Sequence, residues 1–116
     1  KQNIKLLGYI KNPYPVLKDA ELYAMSSSWE GFGLALIEAL ALNKNIVSTD
    51  CKCGPSEILD NGKYGVLVSS NNEIEFANSL LKVINGEIKF DENKLVERAD
   101  KYDIDNIIIG FIKLLS

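Results

Sequence analysis

The sequence contains no histidine. Without imidazole, the chain offers neither the commonest general base near neutral pH nor the commonest transition-metal ligand. Cysteine is scarce: Cys51 and Cys53 are the only two. They are too close together to staple distant segments and too few for a zinc site, so they read as two reduced thiols of a cytoplasmic protein. An excess of positive charge is also missing. Thirteen basic residues against sixteen acidic ones leave a net charge of −3, which supplies no basic field for nucleic acid. Long apolar runs are absent too. The longest, residues 33–42, is interrupted by Glu38 and is too short to span a bilayer. No secretion signal or lipidation motif is visible, and Lys1 is not expected to be a native start.

What remains is an ordinary globular composition. The 116 residues are 47% hydrophobic and 25% charged, enough for one domain with a core that needs no disulfide. Short apolar segments alternate with helical patterns. Strands are expected at residues 4–9, 20–26, 45–48 and 64–68. Helices are expected at 16–19, 34–42, 56–60, 73–85, 94–99 and 104–115. In the 73–85 segment Ile74, Ala77, Leu80, Leu81 and Ile84 recur at helical spacing and Gly86 is the stop. Residues 34–42 are apolar on nearly every face and should be buried. Strands alternating with helices imply an α/β fold with a parallel sheet covered on both faces. Ligands of such sheets bind beyond the carboxyl ends of the strands, so the loops after Tyr9, Met25, Val47 and Val68 are the ones to inspect.

The loop after Met25 carries two unusual features. Gly31 and Gly33 stand at the start of the expected buried helix. Glycine there lets a ligand approach the backbone, and free N–H groups at a helix start attract anions; a plain turn would explain the same glycines. Glu38 is the only charged residue between Gly31 and Lys44. A carboxylate in apolar surroundings needs a partner or a route to water. Its two acceptor oxygens match the two neighbouring hydroxyls of a ribose, although a helix edge touching solvent would account for it as well. The block Gly54-Pro55-Ser56-Glu57 has a structural explanation: Gly-Pro makes a turn, Ser56 caps the next helix, and Glu57 complements its dipole. Trp29 is expected to anchor its loop in the core.

Seven residues separate Glu30 from Glu38. The stretch from Ser27-Ser28-Trp29-Glu30-Gly31-Phe32-Gly33 through Leu34-Ala35-Leu36-Ile37-Glu38-Ala39-Leu40-Ala41 resembles the E-x7-E signature of the retaining glycosyltransferase family 4. Flanking blocks stand in the family's order: Gly8-Tyr9-Ile10, Asn12-Pro13-Tyr14, Lys18-Asp19-Ala20-Glu21-Leu22-Tyr23, Ile46-Val47-Ser48-Thr49-Asp50, Gly54-Pro55-Ser56-Glu57-Ile58 and Asn61-Gly62-Lys63-Tyr64-Gly65-Val66-Leu67-Val68. The resemblance covers residues 6–84. It implies the Rossmann-like, nucleotide-sugar-binding carboxyl-terminal half of a two-domain GT-B fold, with residues 1–116 forming one incomplete domain that lacks its first two strands. The Arg and Lys pair that grips the diphosphate in the family, and the acceptor-binding domain, would lie outside this chain.

In the family the first glutamate meets hydroxyls of the donor sugar, which assigns a catalytic-site role to Glu30. Backbone N–H groups after it meet the sugar and the diphosphate, which points to Gly31, Phe32, Gly33 and Leu34. The second glutamate holds the ribose, which points to Glu38, and the backbone at Tyr9 and Ile10 borders the base. Glu38 is expected near the start of the buried helix, with Glu30 on the same cleft. The resemblance implies sugar transfer from a nucleotide diphosphate, a UDP-sugar foremost, to a glycan or glycolipid hydroxyl with retention of configuration. Neither cofactor nor metal is expected, since prearranged dipoles stabilise the departing diphosphate. A cytoplasmic location follows, peripheral at the inner membrane face through the other domain. Two alternatives remain open: a flavodoxin-like regulatory or binding module, and part of a sugar-nucleotide 2-epimerase. Residues 104–115 are apolar over so much of a helix surface that part is expected to pack on this domain and part to meet a different surface. The chain by itself is expected to perform no glycosyl transfer; measured turnover of a UDP-sugar onto any acceptor by the purified 116-residue chain would overturn this.

Overall fold

The structure is a computed structural model that describes residues 5–6, 8, 14–26, 34–50 and 54–102. Along the chain the elements are α1 (Tyr14–Asp19), β1 (Leu22–Met25), α2 (Leu34–Ala41), β2 (Asn45–Thr49), α3 (Pro55–Ile58), β3 (Val66–Val68), α4 (Glu73–Ile84) and α5 (Glu92–Asp100). The three strands form one parallel sheet in the order β1-β2-β3. Tyr23 is level with Ile46, and Val47 with Val66.

Successive strand residues point to opposite faces, and this alternation divides the core in two. Tyr23, Met25, Ile46 and Leu67 face one cluster, with Leu36, Ile37, Ala39 and Leu40 of α2 and Leu95 and Ala99 of α5. Leu22, Val47, Val66 and Val68 face the other, with Phe76, Leu80 and Val83 of α4. Helices therefore cover both faces. This is the α/β arrangement expected from the sequence, a parallel sheet covered on both faces.

Helix α2 is as dry as its sequence demands: Leu36, Ile37, Ala39 and Leu40 are all 0% exposed. It lies between β2 and α5. Asn43, with φ 63°, ends it; asparagine tolerates the left-handed conformation that closes many helices. Lys44 Nζ then donates to the carbonyls of Lys18 and Ala20, the latter at 2.8 Å, tying the end of α1 to the approach to β2. At residue 65 the chain comes too close for a side chain. A Cβ there would stand 3.0 Å from Leu59 Cδ1 and 3.3 Å from Ile46 Cβ, so Gly65 lets β3 enter beside β2.

Several expectations need correction. Of the strand expected at residues 4–9, Lys5, Leu6 and Gly8 belong to no strand, and Leu6 is 92% exposed. Among the described residues nothing pairs with them, and a strand without a ladder leaves its backbone groups to water. The other residues of that segment, and the helix expected at 104–115, lie outside the described residues, as does Trp29. Ser56 does not cap α3. Gly54, at φ 103°, is the N-cap and makes no side-chain cap bond, with Pro55 in the first helical position. Helix α4 turns a different face inward than its full apolar pattern suggested: Ile74, Leu81 and Ile84 are 76%, 57% and 53% exposed. The helix carries two apolar stripes, and the sheet accepts the one bearing Phe76.

Helix α5 is joined to α3 by Arg98. Its Nε donates to Ile58 O at 2.9 Å and its Nη2 to Glu57 O at 2.7 Å. The guanidinium also lies 5.2 Å from the Tyr64 ring centre and 5.4 Å from that of Tyr102. The carbonyls of Glu57 and Ile58 are the last of α3, and Glu57 O also accepts from Asp60 N at 3.2 Å. Arg98→Ala is expected to cost about 1–3 kcal/mol, as for hydrogen bonds to a charged group. Arg98→Lys should recover little of it, because an ammonium neither forks nor stacks as a guanidinium does. Urea unfolding midpoints at constant slope are the measurement; equal stability of all three proteins would refute the role.

Candidate functional site

The carboxyl ends of the three strands meet in one place. Ser26 follows β1, Thr49 ends β2 and Ser69 follows β3. These three, with Ser70, Asn72, Glu73, Phe76, Ala77 and Leu80, line a cavity of about 320 Å³. Hydroxyl and amide groups sit at its sheet end and the apolar side of α4 forms the wall. A second cavity of about 330 Å³, lined by residues including Asn43, Asn45 and Glu92, lies at the opposite end of the sheet. Ligands of open parallel sheets bind at the carboxyl end, which favours the first.

Each of the three strands is followed by a helix: α2 after β1, α3 after β2 and α4 after β3. Their N-termini differ in charge. Helix α4 carries Glu73 and Glu75 in its first turn, and Asn72 Oδ1 accepts from Glu75 N at 2.9 Å. It has already complemented its own dipole. Helix α2 has no acidic residue in its first turn, whereas α3 has Glu57 and α5 has Glu92. Among the described helices only α1, six residues long, shares that feature. The partial positive charge at the start of a helix attracts anions. At α2 it meets no carboxylate in its first turn.

Of the residues expected at the site, Leu34 is the first of α2 and Glu38 the fifth. Glu38 thus lies in the second turn, not at the start. It is half-buried, between neighbours that are fully buried, and it is engaged in a contact within the fold. Tyr9, Ile10, Glu30, Gly31, Phe32 and Gly33 lie outside the described residues. Sequence reasoning named the loops after β1, β2 and β3 but missed Ser26, Thr49, Ser69, Ser70 and Asn72 as lining residues. The available signal was their position: each stands at or just beyond the carboxyl end of a strand. Among the described residues no group of three His, Cys, Asp or Glu could hold a metal ion, and no helix is long and apolar enough to cross a membrane.

A parallel sheet with helices on both faces and a polar cavity at its carboxyl end defines a ligand-binding α/β domain. Residues 1–106 match the family described as "Glycosyl transferases group 1", and the chain belongs to that family. It is 29% identical over its full length to the poly(ribitol-phosphate) alpha-N-acetylglucosaminyltransferase of Staphylococcus aureus (strain COL), covering 24% of that protein. Over 99% of its length it is 32% identical to the N-acetylgalactosamine-N,N'-diacetylbacillosaminyl-diphospho-undecaprenol 4-alpha-N-acetylgalactosaminyltransferase of Campylobacter jejuni (serotype O:2), covering 32% of it. The crystal structure of TarM superposes with a TM-score of 0.73 and 30% identity over 91% of this chain and 22% of that one. The chain thus spans about a quarter to a third of the length of these curated relatives.

The contrast between the starts of α2 and α4 is testable. Added inorganic diphosphate is expected to shift the backbone amide resonances of Leu34 and Ala35 more than those of Glu73 and Ile74. Larger shifts at α4 would place the anion at the wrong helix.

Proposed function

We propose that the chain is the nucleotide-sugar-binding part of a retaining glycosyltransferase. The whole protein transfers a sugar from a nucleotide diphosphate donor, a UDP-sugar foremost, to an acceptor hydroxyl during synthesis of a cell-surface glycan, polysaccharide or glycolipid. The observation that carries this reading is the start of α2. A dry helix with no carboxylate in its first turn begins at the carboxyl end of the sheet, directly after the Glu30-Gly31-Phe32-Gly33 segment. The relatives are named as transferases of N-acetylhexosamines to poly(ribitol-phosphate) and to a diphospho-undecaprenol-linked sugar, which supports the acceptor class.

In this reading the diphosphate rests against the N–H groups of Gly31, Phe32, Gly33 and Leu34. Glu30 meets the donor sugar's hydroxyls beside the bond that breaks. Glu38 accepts from the ribose hydroxyls, and the backbone at Tyr9 and Ile10 borders the base. As the glycosidic bond breaks, negative charge grows on the departing diphosphate. Fixed N–H dipoles and the start of α2 stabilise that charge more in the transition state than in the ground state, which is what lowers a barrier. No metal or further cofactor enters the scheme. The acceptor binds through a part of the protein beyond this chain, and the enzyme works on the cytoplasmic side, at the inner membrane face.

In the full-length enzyme Glu38→Ala is expected to weaken donor binding by about 1–3 kcal/mol, because two hydroxyl donors lose a charged acceptor. Glu38→Gln, which keeps one acceptor, should fall between. The loss should appear in the donor KM and be smaller for a 2′-deoxyribose donor, which has less to lose. An unchanged donor KM and kcat, or an equal loss with the deoxy donor, would reject the ribose role.

A further inference from the structure

The turn that closes α2 carries a side chain it does not need. Asn43, at φ 63°, ends the helix through its backbone, its N–H donating to Leu40 O at 2.9 Å. Glycine serves such a position without strain and is its usual occupant. Asparagine instead brings a carboxamide whose Oδ1 is buried and, among the described residues, has no hydrogen-bond partner. An unpaired buried acceptor is a net cost to the fold. Two residues on, Asn45 opens β2, and asparagine is a poor strand former. Both line the cavity of about 330 Å³ at the amino end of the sheet. The connection from α4 to α5 walls that cavity. Its Ile88 packs on the α4 core and its Phe90 on the α2–α5 core, so the chain passes there from one face of the sheet to the other. Lys89 and Glu92 stand at the same cavity, and both are exposed.

We propose that this cavity binds a neutral sugar ring, at a site separate from the one at the carboxyl end of the sheet. The lining decides the class of ligand. Two carboxamides, an ammonium and a carboxylate offer donors and acceptors together. A hydroxyl does both, so the rim of a sugar can donate to Asn43 Oδ1 and Glu92 while it accepts from Lys89. The torsion that aims a carboxamide is broad, so Asn43 and Asn45 can each present oxygen or nitrogen. Phe90 and Ile88 supply an apolar wall for the C–H face of the ring. An anion fits poorly, because Glu92 counters Lys89 and the carboxyl end of α4, at Asn85 and Gly86, carries partial negative charge. An apolar ligand would leave both asparagines unsatisfied. The volume is at the low end for small-molecule sites, which run from about 300 to 1,000 Å³, and suits a single ring better than a whole nucleotide sugar. The site needs no nucleotide, so it does not rest on the placing of the diphosphate at α2. In a glycosyltransferase it would hold one ring of a glycan away from the reacting end.

Amide NMR spectra of the full chain, titrated with glucose and with N-acetylglucosamine, test the proposal. At least one of the two should shift the backbone amides of Asn43, Asn45, Gly86 and Glu92 and the side-chain amides of both asparagines. The shifts should saturate, with a dissociation constant on the order of 1–10 mM for so small a ligand. The amides of Ser26, Thr49 and Ser69 should stay in place. UDP should leave the Asn43 group unmoved whether or not it binds elsewhere, which separates this site from the donor site. Asn43→Gly keeps the turn and removes the carboxamide. It should weaken sugar binding by about fivefold to tenfold without lowering the melting temperature, and Glu92→Ala should weaken it by a similar factor. No saturable shift with either sugar up to about 100 mM overturns the proposal. Binding indifferent to Asn43→Gly overturns it too, and so do equal shifts from glycerol, which would show a response to any hydroxyl compound.

Discussion

The fold depends on one strand being buried on both sides. In β2, Ile46, Val47 and Ser48 are all 0% exposed. Because neighbouring residues point opposite ways, Ile46 belongs to the α2–α5 core and Val47 to the α4 core. Two separate hydrophobic layers therefore meet at a strand only five residues long. Strands β1 and β3 are held in parallel register by it, and a parallel pair needs its helical crossovers on the faces. The positions of α2, α4 and α5 follow from that. So does the place of the site, since every strand of a parallel sheet ends at the same edge.

The helices that follow the strands differ in how their N-termini are balanced. Helix α4 is half wet and uses its own carboxylates at its N-terminus. Helix α2 is enclosed, so most of its side chains must be apolar, and its polarity is left to the backbone at its end. Glu38 is the exception, half-buried among residues with no exposure. A carboxylate in that position must be satisfied by something polar. Glu38 is engaged in a contact within the fold, which meets that need.

Helix α4 shows how one helix can meet two demands. One stripe, with Phe76, Leu80 and Val83, closes the second core. Part of the same helix, Phe76, Ala77 and Leu80, walls the cavity at the strand ends. The remaining stripe contributes to neither core.

The order of elements and the parallel sheet were legible in the sequence because they rest on local periodicity. The burial of α2 was legible for the same reason: a helix apolar all round has no wet side to choose. The family was legible from Glu30, Glu38 and the blocks around them. Other features were not. Helix α4 holds two apolar stripes, and periodicity reports both without ranking them; only the shape of the sheet face, which is assembled from three distant segments, selects Phe76 over Ile74. The fate of residues 5, 6 and 8 was hidden because a strand exists only when a neighbour supplies its hydrogen bonds. The same holds for the cavity, whose Ser26, Thr49 and Ser69 come from three strands far apart in sequence. Local spacing sets what each segment can form, and long-range contact decides which face each segment turns inward.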